Sequence, residues 1–344
     1  IKNVNLKTPD YFDNSGNAKL QYTSSIPLAT SGTFVGGVGN LATGTANYYE
    51  TITNANTQGL TAGAYSQSIA LLANQDDFQY NIITCPGLID ANALHSTQLT
   101  TLINNTTNRG DAIVVIDTVN YGVSVSSVVT QALTRDSSYT ATYWPWLQTN
   151  DPNTGNTVWV PASTLIPGAY AANDIQGEPW FAPAGVNRGG LTGVVRAERK
   201  LSQGDRDTLY QGKVNPIATF PGTGVTIFGQ KTLQTKASAL DRVNVRRLLI
   251  TLKAFIGTVG KSLIFEQNTI ATRNSFLAQV NPYLASVQQR SGLYAFKVIM
   301  DDSNNTPDTI DRNQLMGAIY LQPTKTSEFV YLDFNIMPTG VSFT

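Results

Sequence analysis

Basic side chains dominate one stretch of this sequence. Between Lys231 and Lys261 there are seven lysines or arginines and one acid, Asp241, although the whole chain has a formal net charge of +0. A local excess of positive charge attracts negatively charged groups, so a complementary acidic partner is the simplest expectation. The candidate contact residues are Arg242, Arg246, Arg247, Lys253 and Lys261.

An internal ion pair is the alternative for two of these arginines. Arg246 or Arg247 could bind an acid of the same chain, and the candidate acids are Asp311 and Asp333. The two hypotheses differ in what they require of the fold. An interface needs the arginines on the surface, whereas an internal pair would make them part of the core.

Few residues of this chain could serve in catalysis or bind a metal ion. The chain holds one histidine and one cysteine, which nearly excludes a structural zinc site and a conventional catalytic triad. A single cysteine cannot form an intrachain disulfide. His95 lies in a helical pattern and is predicted to be an ordinary surface or boundary residue. The stretch GVTIFGQKT at 224–232 approaches a phosphate-binding loop, but Gln230 breaks the spacing and residues 225–228 alternate as in a strand. No enzyme, cofactor or metal site is therefore predicted.

One amphipathic helix over residues 237–265 is predicted to carry the five cations. Ser238 and Asp241 form a capping signal ahead of the apolar run. At about 100° per residue, eight apolar side chains share one stripe, and these are Val245, Leu248, Leu249, Leu252, Phe255, Ile256, Val259 and Leu263. Gly257 and Gly260 fall with the cations on the other side, where a merely solvated face would mix charge signs and avoid glycine.

Three segments are predicted along the chain. Residues 1–75 form a variable segment rich in Gly, Thr and Asn, and residues 76–180 form an α/β domain because strand, helix and strand patterns alternate there. Residues 181–344 form an α+β domain with two long helices, the second over 270–290 with a candidate break at Pro282. Clustered aromatic residues are predicted to fill the seam between these domains, or simply to be core; they include Trp144, Trp146, Trp159 and Trp180.

The C-terminal residues read as an apolar strand that continues into an uncharged tail. An unpaired strand promotes aggregation unless a sheet edge accepts it, so donation to a neighbouring subunit is predicted for an arm that starts at about residue 330. The alternative is a frayed terminus. The candidate arm residues are Val330, Leu332, Phe334, Ile336, Val341 and Phe343.

Composition narrows the class of protein. Charged residues make up only 13% of the chain, which suits a surface covered by copies of the same chain, although a viral or extracellular protein with an ordinary polar coat would look similar. Zero net charge argues against bulk nucleic-acid binding, and no apolar run reaches the ~18–20 residues that a membrane span needs. Because the chain opens on Ile1, upstream residues are expected to be missing.

Several motifs follow one another along the chain: SSYTATYWPWL, TVWVPAS, APAGVNRGG, DRVNVRRLL, LIFEQN and NNTPDTIDRNQL. Together, and in this order, they resemble the tail sheath proteins of contractile-tailed bacteriophages. The resemblance runs from about residue 77 to residue 344 and is tightest toward the C-terminus. It does not cover the first 75 residues, which fits the variable outer part of such proteins.

The resemblance implies a structural subunit that polymerises as stacked hexameric rings around a tail tube. The C-terminal domain would lie near the tube, and extended arms would add strands to neighbouring subunits. Contraction triggered by the baseplate would drive the tube through the host envelope, without nucleotide hydrolysis. The five cations would then contact the tube or an adjacent sheath subunit, with the helix over 270–290 as a rival tube-facing element.

The same resemblance implies partners and a location. The expected partners are other copies of the chain, the tail tube protein, the baseplate and the tail terminator, with neither direct nucleic-acid binding nor stable membrane insertion. The expected location is the phage tail of the virion, after assembly in the bacterial host cytoplasm, where the sheath serves genome ejection.

Three alternatives remain open at the level of sequence. Within the same class, the chain could be the sheath of a phage-like bacteriocin or of a bacterial secretion machine. From a different class, a nucleotide-binding α/β enzyme would use the unit around residues 80–117, and it predicts a phosphate loop that the sequence lacks. Exposed Thr, Asn and Trp in the first 180 residues could instead serve carbohydrate binding.

Overall fold

A five-stranded sheet forms the centre of the computed structural model, which describes residues 65–152 and 155–328. The order of its strands is β1–β2–β3–β7–β8. Their bounds are β1 Ile82–Ile89, β2 Ile113–Asp117, β3 Thr140–Trp144, β7 Asn215–Phe220 and β8 Gly224–Ile227. The first four strands run parallel and β8 pairs antiparallel with β7. Two of these strands lie beyond residue 180, so the sheet joins segments from both sides of the expected domain boundary.

The central strands are buried on both faces. Every residue of β2 and β3 is buried, as the continuous apolar run of β2 predicts for a parallel strand covered by helices. Val114 and Ile116 of β2 face one hydrophobic cluster, while Ile113 and Val115 face another. The α/β part of the predicted fold class is confirmed.

Helices and a small sheet surround this centre. The helices are α1 Tyr65–Leu71, α2 Ala93–Arg109, α3 Val125–Ala132, α4 Ile166–Gln176 and α5 Gln203–Gln211. The small antiparallel sheet has the order β5–β4–β6, with β4 Leu147–Asn150, β5 Thr157–Val160 and β6 Val194–Ala197. Side chains of α2, α3 and α5 pack into one cluster against the central sheet, and side chains of α4 pack into the other.

The C-terminal part of the chain is α+β, as predicted. Its elements are α6 Val243–Lys261, α7 Ile270–Gln289, β9 Leu293–Ile299, α8 Pro307–Asp311 and β10 Ala318–Pro323. The strands β9 and β10 form an antiparallel pair that packs with α6 and α7 around a third hydrophobic cluster. Trp180 belongs to this third cluster, whereas Trp144 belongs to a cluster of the central sheet, so the tryptophans do not form one group.

The two long helices differ from their predicted forms. The segment 237–265 is not one helix, because Ser238 caps a separate short 3-10 turn and α6 begins only at Val243. In contrast, α7 continues through Pro282 without a break. Val280 and Leu284, on either side of the proline, are both fully buried, and this packing outweighs the lost hydrogen bond.

Candidate subunit interface

Helix α6 has two halves with opposite surroundings. From Val243 to Leu248 every residue is buried, and Ile250 and Leu252 extend the buried region. Beyond Leu252 the helix emerges, and of its remaining residues only Val259 is buried. The predicted division into one apolar and one basic face therefore holds only for the second half.

Arg246 is buried, with 4% of its surface exposed. Its guanidinium donates to the backbone oxygen of Ser138 at 3.1 Å and to the Ser138 hydroxyl, and it lies 3.9 Å from the centre of the Tyr139 ring. The prediction of a solvent-facing Arg246 is wrong, because the loop before β3 covers the side chain. A stacked and hydrogen-bonded guanidinium is a stable way to bury a cation without a carboxylate.

Arg247 is also buried, with 3% of its surface exposed. It binds the Asp174 carboxylate of α4 at 2.5 Å and lies over the Tyr170 ring at 4.8 Å. The hypothesis of an internal ion pair is thus confirmed for Arg247, with Asp174 as its partner, while the candidate acid Asp333 lies outside the described residues. The pair ties α6 to α4 and so fixes the C-terminal helices against the central sheet.

Arg242 is a half-buried residue that holds the end of the described chain. Its guanidinium binds Glu328 at 2.6 and 2.9 Å and Asp241 at 2.9 Å. Burial raises the pKa of the Glu328 carboxyl, but hydrogen bonds from Arg242, Tyr210 and Gln230 outweigh it and bring that pKa below its ordinary value. Arg242 is therefore already occupied by partners within the chain.

Lys253 and Lys261 are the two candidate cations that remain exposed. The Lys253 amine lies 3.4 Å from the Tyr139 hydroxyl, and the Lys261 amine lies 4.0 Å from Asp76 with both side chains more than three-quarters exposed. Gly257 and Gly260 lie between them and face open space, since a Cβ added at either would have no atom within 4 Å. The surface of the second half of α6 is thus basic, small and open, which suits close approach of a partner.

Two family models match this chain in succession. The model for the phage tail sheath protein central domain matches residues 52–233, which is more than half of the chain. The chain belongs to the phage tail sheath protein family. A second model, for the phage tail sheath C-terminal domain, matches residues 235–337 of the sheath protein.

Curated relatives of this sheath protein come from phages. The tail sheath protein of Vibrio phage KVP40 is 41% identical over 185 residues, which cover 54% of this chain and 28% of the relative. That of Salmonella phage ViI is 33% identical over 250 residues, which cover 70% of this chain and 40% of the relative. The chain therefore spans well under half the length of these relatives.

Solved structures share the fold of this sheath protein. The sheath complex of the extracellular contractile injection system PVC, in its contracted state, superposes with a TM-score of 0.67 at 23% identity, over 80% of this chain and 75% of the other. The helical sheath of the anti-feeding prophage, also contracted, gives a TM-score of 0.65 at 21% identity, over 80% and 76%. At these identities the likeness concerns the fold.

The predicted C-terminal arm lies outside the described residues. This applies to all six of its candidates, which are Val330, Leu332, Phe334, Ile336, Val341 and Phe343. Their role in strand donation stays a prediction. The described chain ends at Glu328, where Arg242 anchors it.

The environments of His95 and Cys85 do not suit catalysis. His95 is fully buried, so the prediction of a surface or boundary position is wrong. Its Nδ1 accepts a hydrogen bond from the Ile89 amide at 3.0 Å, and burial lowers the pKa of the imidazole. Burial raises the pKa of the Cys85 thiol to about 11, which leaves it unreactive at neutral pH. In the stretch that approaches a phosphate loop, Gly224–Ile227 forms β8, as the alternation there predicts.

Residues 65–152 and 155–328 contain neither a metal-binding cluster nor a membrane-spanning helix. No group of three or more His, Cys, Asp or Glu in these ranges is placed to hold a metal ion. Likewise, no described helix combines the length and the apolar character of a membrane span.

Sequence reasoning missed the acids that pair with the buried arginines. Asp174 and Glu328 lie 73 and 86 residues from their partners Arg247 and Arg242. No local pattern signals such long-range pairs. It also missed a second basic run at 188–213, which holds six lysines or arginines and three acids and which simple counting of charges would have found.

Proposed function

We propose that this chain is a structural subunit of a contractile tail sheath, which polymerises around a tail tube and contracts to drive the tube through the host envelope. The observation that carries the proposal is the succession of two sheath-domain matches, over residues 52–233 and 235–337. The role is mechanical and not enzymatic, and the site of action is the tail of the virion, assembled in the cytoplasm of the bacterial host.

The proposed partners follow from this role. They are other copies of the chain in hexameric rings, the tail tube protein, the baseplate and the tail terminator. A phage tail is favoured over a bacteriocin or a secretion machine, since the curated relatives are phage proteins. A nucleotide-binding enzyme is disfavoured because Gly224–Ile227 is a strand hydrogen-bonded to β7, which leaves no phosphate loop there.

The exposed half of α6 is proposed to meet an acidic surface of the tube or of an adjacent sheath subunit. Lys253 and Lys261 supply the charge, and Gly257 and Gly260 allow close approach. Arg246 and Arg247 are excluded from direct contact because they are buried, and Arg242 contributes by anchoring the chain at Glu328.

Electron microscopy tests the proposed function directly. The chain, expressed with any residues that precede Ile1 in its gene, is examined by negative stain over a range of protein and salt concentrations. Hollow tubes of uniform width are expected. Monodisperse particles under all conditions would contradict a sheath role.

A truncation tests the proposed C-terminal arm. Deleting residues 338–344 should block polymerisation while barely changing the melting temperature, because the arm is proposed to pair with a neighbouring subunit and not with its own. Normal tubes from the truncated chain would refute strand donation by these residues. A chain that carries polar substitutions at Val341 and Phe343 but keeps its full length separates the loss of side chains from the loss of backbone.

A further inference from the structure

A second basic surface lies outside α6 and has no acidic partner. It consists of Arg188, Arg196, Arg199, Lys200 and Arg206, and we call it the arginine band. In the part of the chain that the structure describes, none of the five has a carboxylate within 4.0 Å, whereas Arg242 and Arg247 of α6 do. Because like charges repel one another, a group of unpaired cations is unfavourable in the free chain.

Two of the three acids in the same run, Glu198 and Asp205, are already engaged, and the third, Asp207, is exposed. Glu198 accepts hydrogen bonds from the Gly122 and Trp146 amides at 2.7 and 3.2 Å. Asp205 caps α5 and accepts from the amide and hydroxyl of Ser202 at 3.0 and 2.7 Å. Both of these carboxylates therefore stabilise the local backbone, and neither forms an ion pair with a cation of the band.

Aromatic rings hold the guanidiniums of the band in place. Arg188 lies 4.9 Å from the centre of the Phe181 ring, Arg196 lies 5.3 Å from that of Trp159, and Arg206 lies 5.8 Å from that of Phe228. Arg196 donates through Nε to the Gln148 side chain at 2.8 Å and Arg206 through one Nη to the Leu201 backbone oxygen at 3.2 Å. The remaining N–H donors of a stacked guanidinium stay in one plane. Because the side chains are already ordered, less conformational entropy is lost when a carboxylate binds them.

Several contacts connect parts of the band. The residue after Arg188 accepts a hydrogen bond from Ile227, and Phe228, which follows Ile227, lies under Arg206. At the other end, hydrogen bonds from Ser202 and, more weakly, the charge of Arg199 lower the pKa of Asp205, the neighbour of Arg206. Arg188 and Arg206 are thus connected through the end of β8, and Arg199 lies near Asp205.

The complementary charge lies elsewhere on the same chain. Residues 301–311 hold four exposed acids, Asp301, Asp302, Asp308 and Asp311. Asp302 pairs with Arg273 and Asp308 with Arg312, while Asp311 has no cation within 4.0 Å among the described residues. Exposed Ile310 and Met316 lie in and beside this acidic segment and add apolar surface to it.

We propose that the arginine band binds the acidic segment 301–311 of a second copy of this chain. No hydrogen bond or ion pair joins the two surfaces within one copy, as far as the structure describes it, although Asp302 and Asp308 already pair with Arg273 and Arg312. Because the two surfaces differ, the contact is heterologous, and its repetition generates a ring or an open helix. The inference deepens the proposed sheath function, on which it rests, by naming a contact between subunits.

Charge reversal tests this contact in the whole chain. The double variant Arg199→Glu, Lys200→Glu should raise the concentration needed for self-association about tenfold or more, and most strongly at low salt. Sedimentation measures weak association and electron microscopy counts tubes. The single variant Lys200→Glu has a matched control in Lys236→Glu, because Lys236 is also exposed but lies outside the band. The control variant should associate like the wild type.

A charge swap identifies the partner segment. Asp308→Arg with Asp311→Arg should weaken association to a similar degree, and the chain that carries all four reversals should recover most of it. Equal association of the wild type and the Arg199→Glu, Lys200→Glu variant would overturn the proposal. So would a swap that fails to restore association.

The outcomes separate this inference from the proposed function. Tubes that form regardless of the charge reversals would leave the sheath role standing and refute the contact. Charge-dependent association without tubes would support the contact and refute the sheath role. Circular dichroism of each variant confirms that a loss of association does not come from unfolding.

Discussion

Both halves of α6 contain basic side chains, but those of the first half are buried and those of the second half are exposed. In the first half, Arg246 and Arg247 are 4% and 3% exposed and are bound by Ser138 and Asp174. In the second half, Lys253 and Lys261 extend into solvent. All four belong to a single charge cluster in the sequence, yet only one pair can meet a partner protein.

The reason for the difference lies in what covers each half. The first half packs at once against the central sheet and α4 through Val243 and Ile250 and against α7 through Leu248 and Leu252. A helix covered on several sides must bury some polar positions, and it stabilises them with specific partners. The second half packs only into the third cluster, through Phe255, Ile256 and Val259, and so keeps only one packed side. Charge clusters in sequence are therefore poor guides to interfaces unless burial is known.

The largest expected effect comes from reversing a buried cation. Arg247→Glu should lower the free energy of unfolding by about 3–5 kcal/mol, because it buries a carboxylate beside Asp174 without a counter-charge. Urea denaturation of the variant and of Lys253→Glu, its exposed counterpart, measures the difference. Adding Asp174→Arg to Arg247→Glu should recover part of the loss. Equal stability of the two single variants would refute the division of α6.

Apolar truncations should follow the same division. Leu248→Ala, in the first half, should cost about 2–5 kcal/mol, since its side chain is 1% exposed and the cavity cannot collapse fully. Ile256→Ala, in the half-buried second half, should cost roughly half as much or less, because part of its side chain already contacts water. Thermal or urea unfolding checks the ranking, and a reversed order would show that α6 is anchored by its second half.

Lowering the pH should weaken the ion pair between Arg242, at the start of α6, and Glu328. The pKa of Glu328 is below its ordinary value in the folded chain, so the unfolded state binds the proton more tightly. The contribution of the Arg242–Glu328 pair is therefore complete above about pH 4.5 and is lost as the pH falls through the lowered pKa.

The Glu328→Gln variant makes this contribution measurable. Near pH 7 the wild type should be more stable by about 1 kcal/mol, since the pair is only partly shielded from water. The gap should close as the pH is lowered toward 3 in urea titrations of both proteins. A gap that is independent of pH would mean that packing of Glu328, and not its charge, anchors the segment.

The smallest effect on stability is expected for the exposed lysines. Lys253→Glu with Lys261→Glu should change the free energy of unfolding by no more than about 0.5 kcal/mol. Sheath assembly or tube attachment should nevertheless weaken, and more so at low salt. Lys236→Glu serves as the control for a charge change off the helix. Unfolding of the double variant would show that the lysines stabilise the monomer.

Local patterns predicted most of the elements correctly. The apolar run of β2 and the alternation of β8 gave the right strands, and the periodicity of residues 270–290 gave α7. These features are encoded within a few residues, since side-chain periodicity reports which face is buried. The break expected at Pro282 was wrong because packing on either side of the proline outweighs its local preference.

The sequence by itself determined most of the secondary structure, the absence of the residues for a triad or zinc site, the low charge of the surface and the family. Only the tertiary structure decided which cations are free. The partners of Arg242 and Arg247 lie 86 and 73 residues away, and two of the acids near the arginine band are taken up by backbone amides and a helix cap. Ion pairing depends on distance in space, and the sequence gives distance only along the chain.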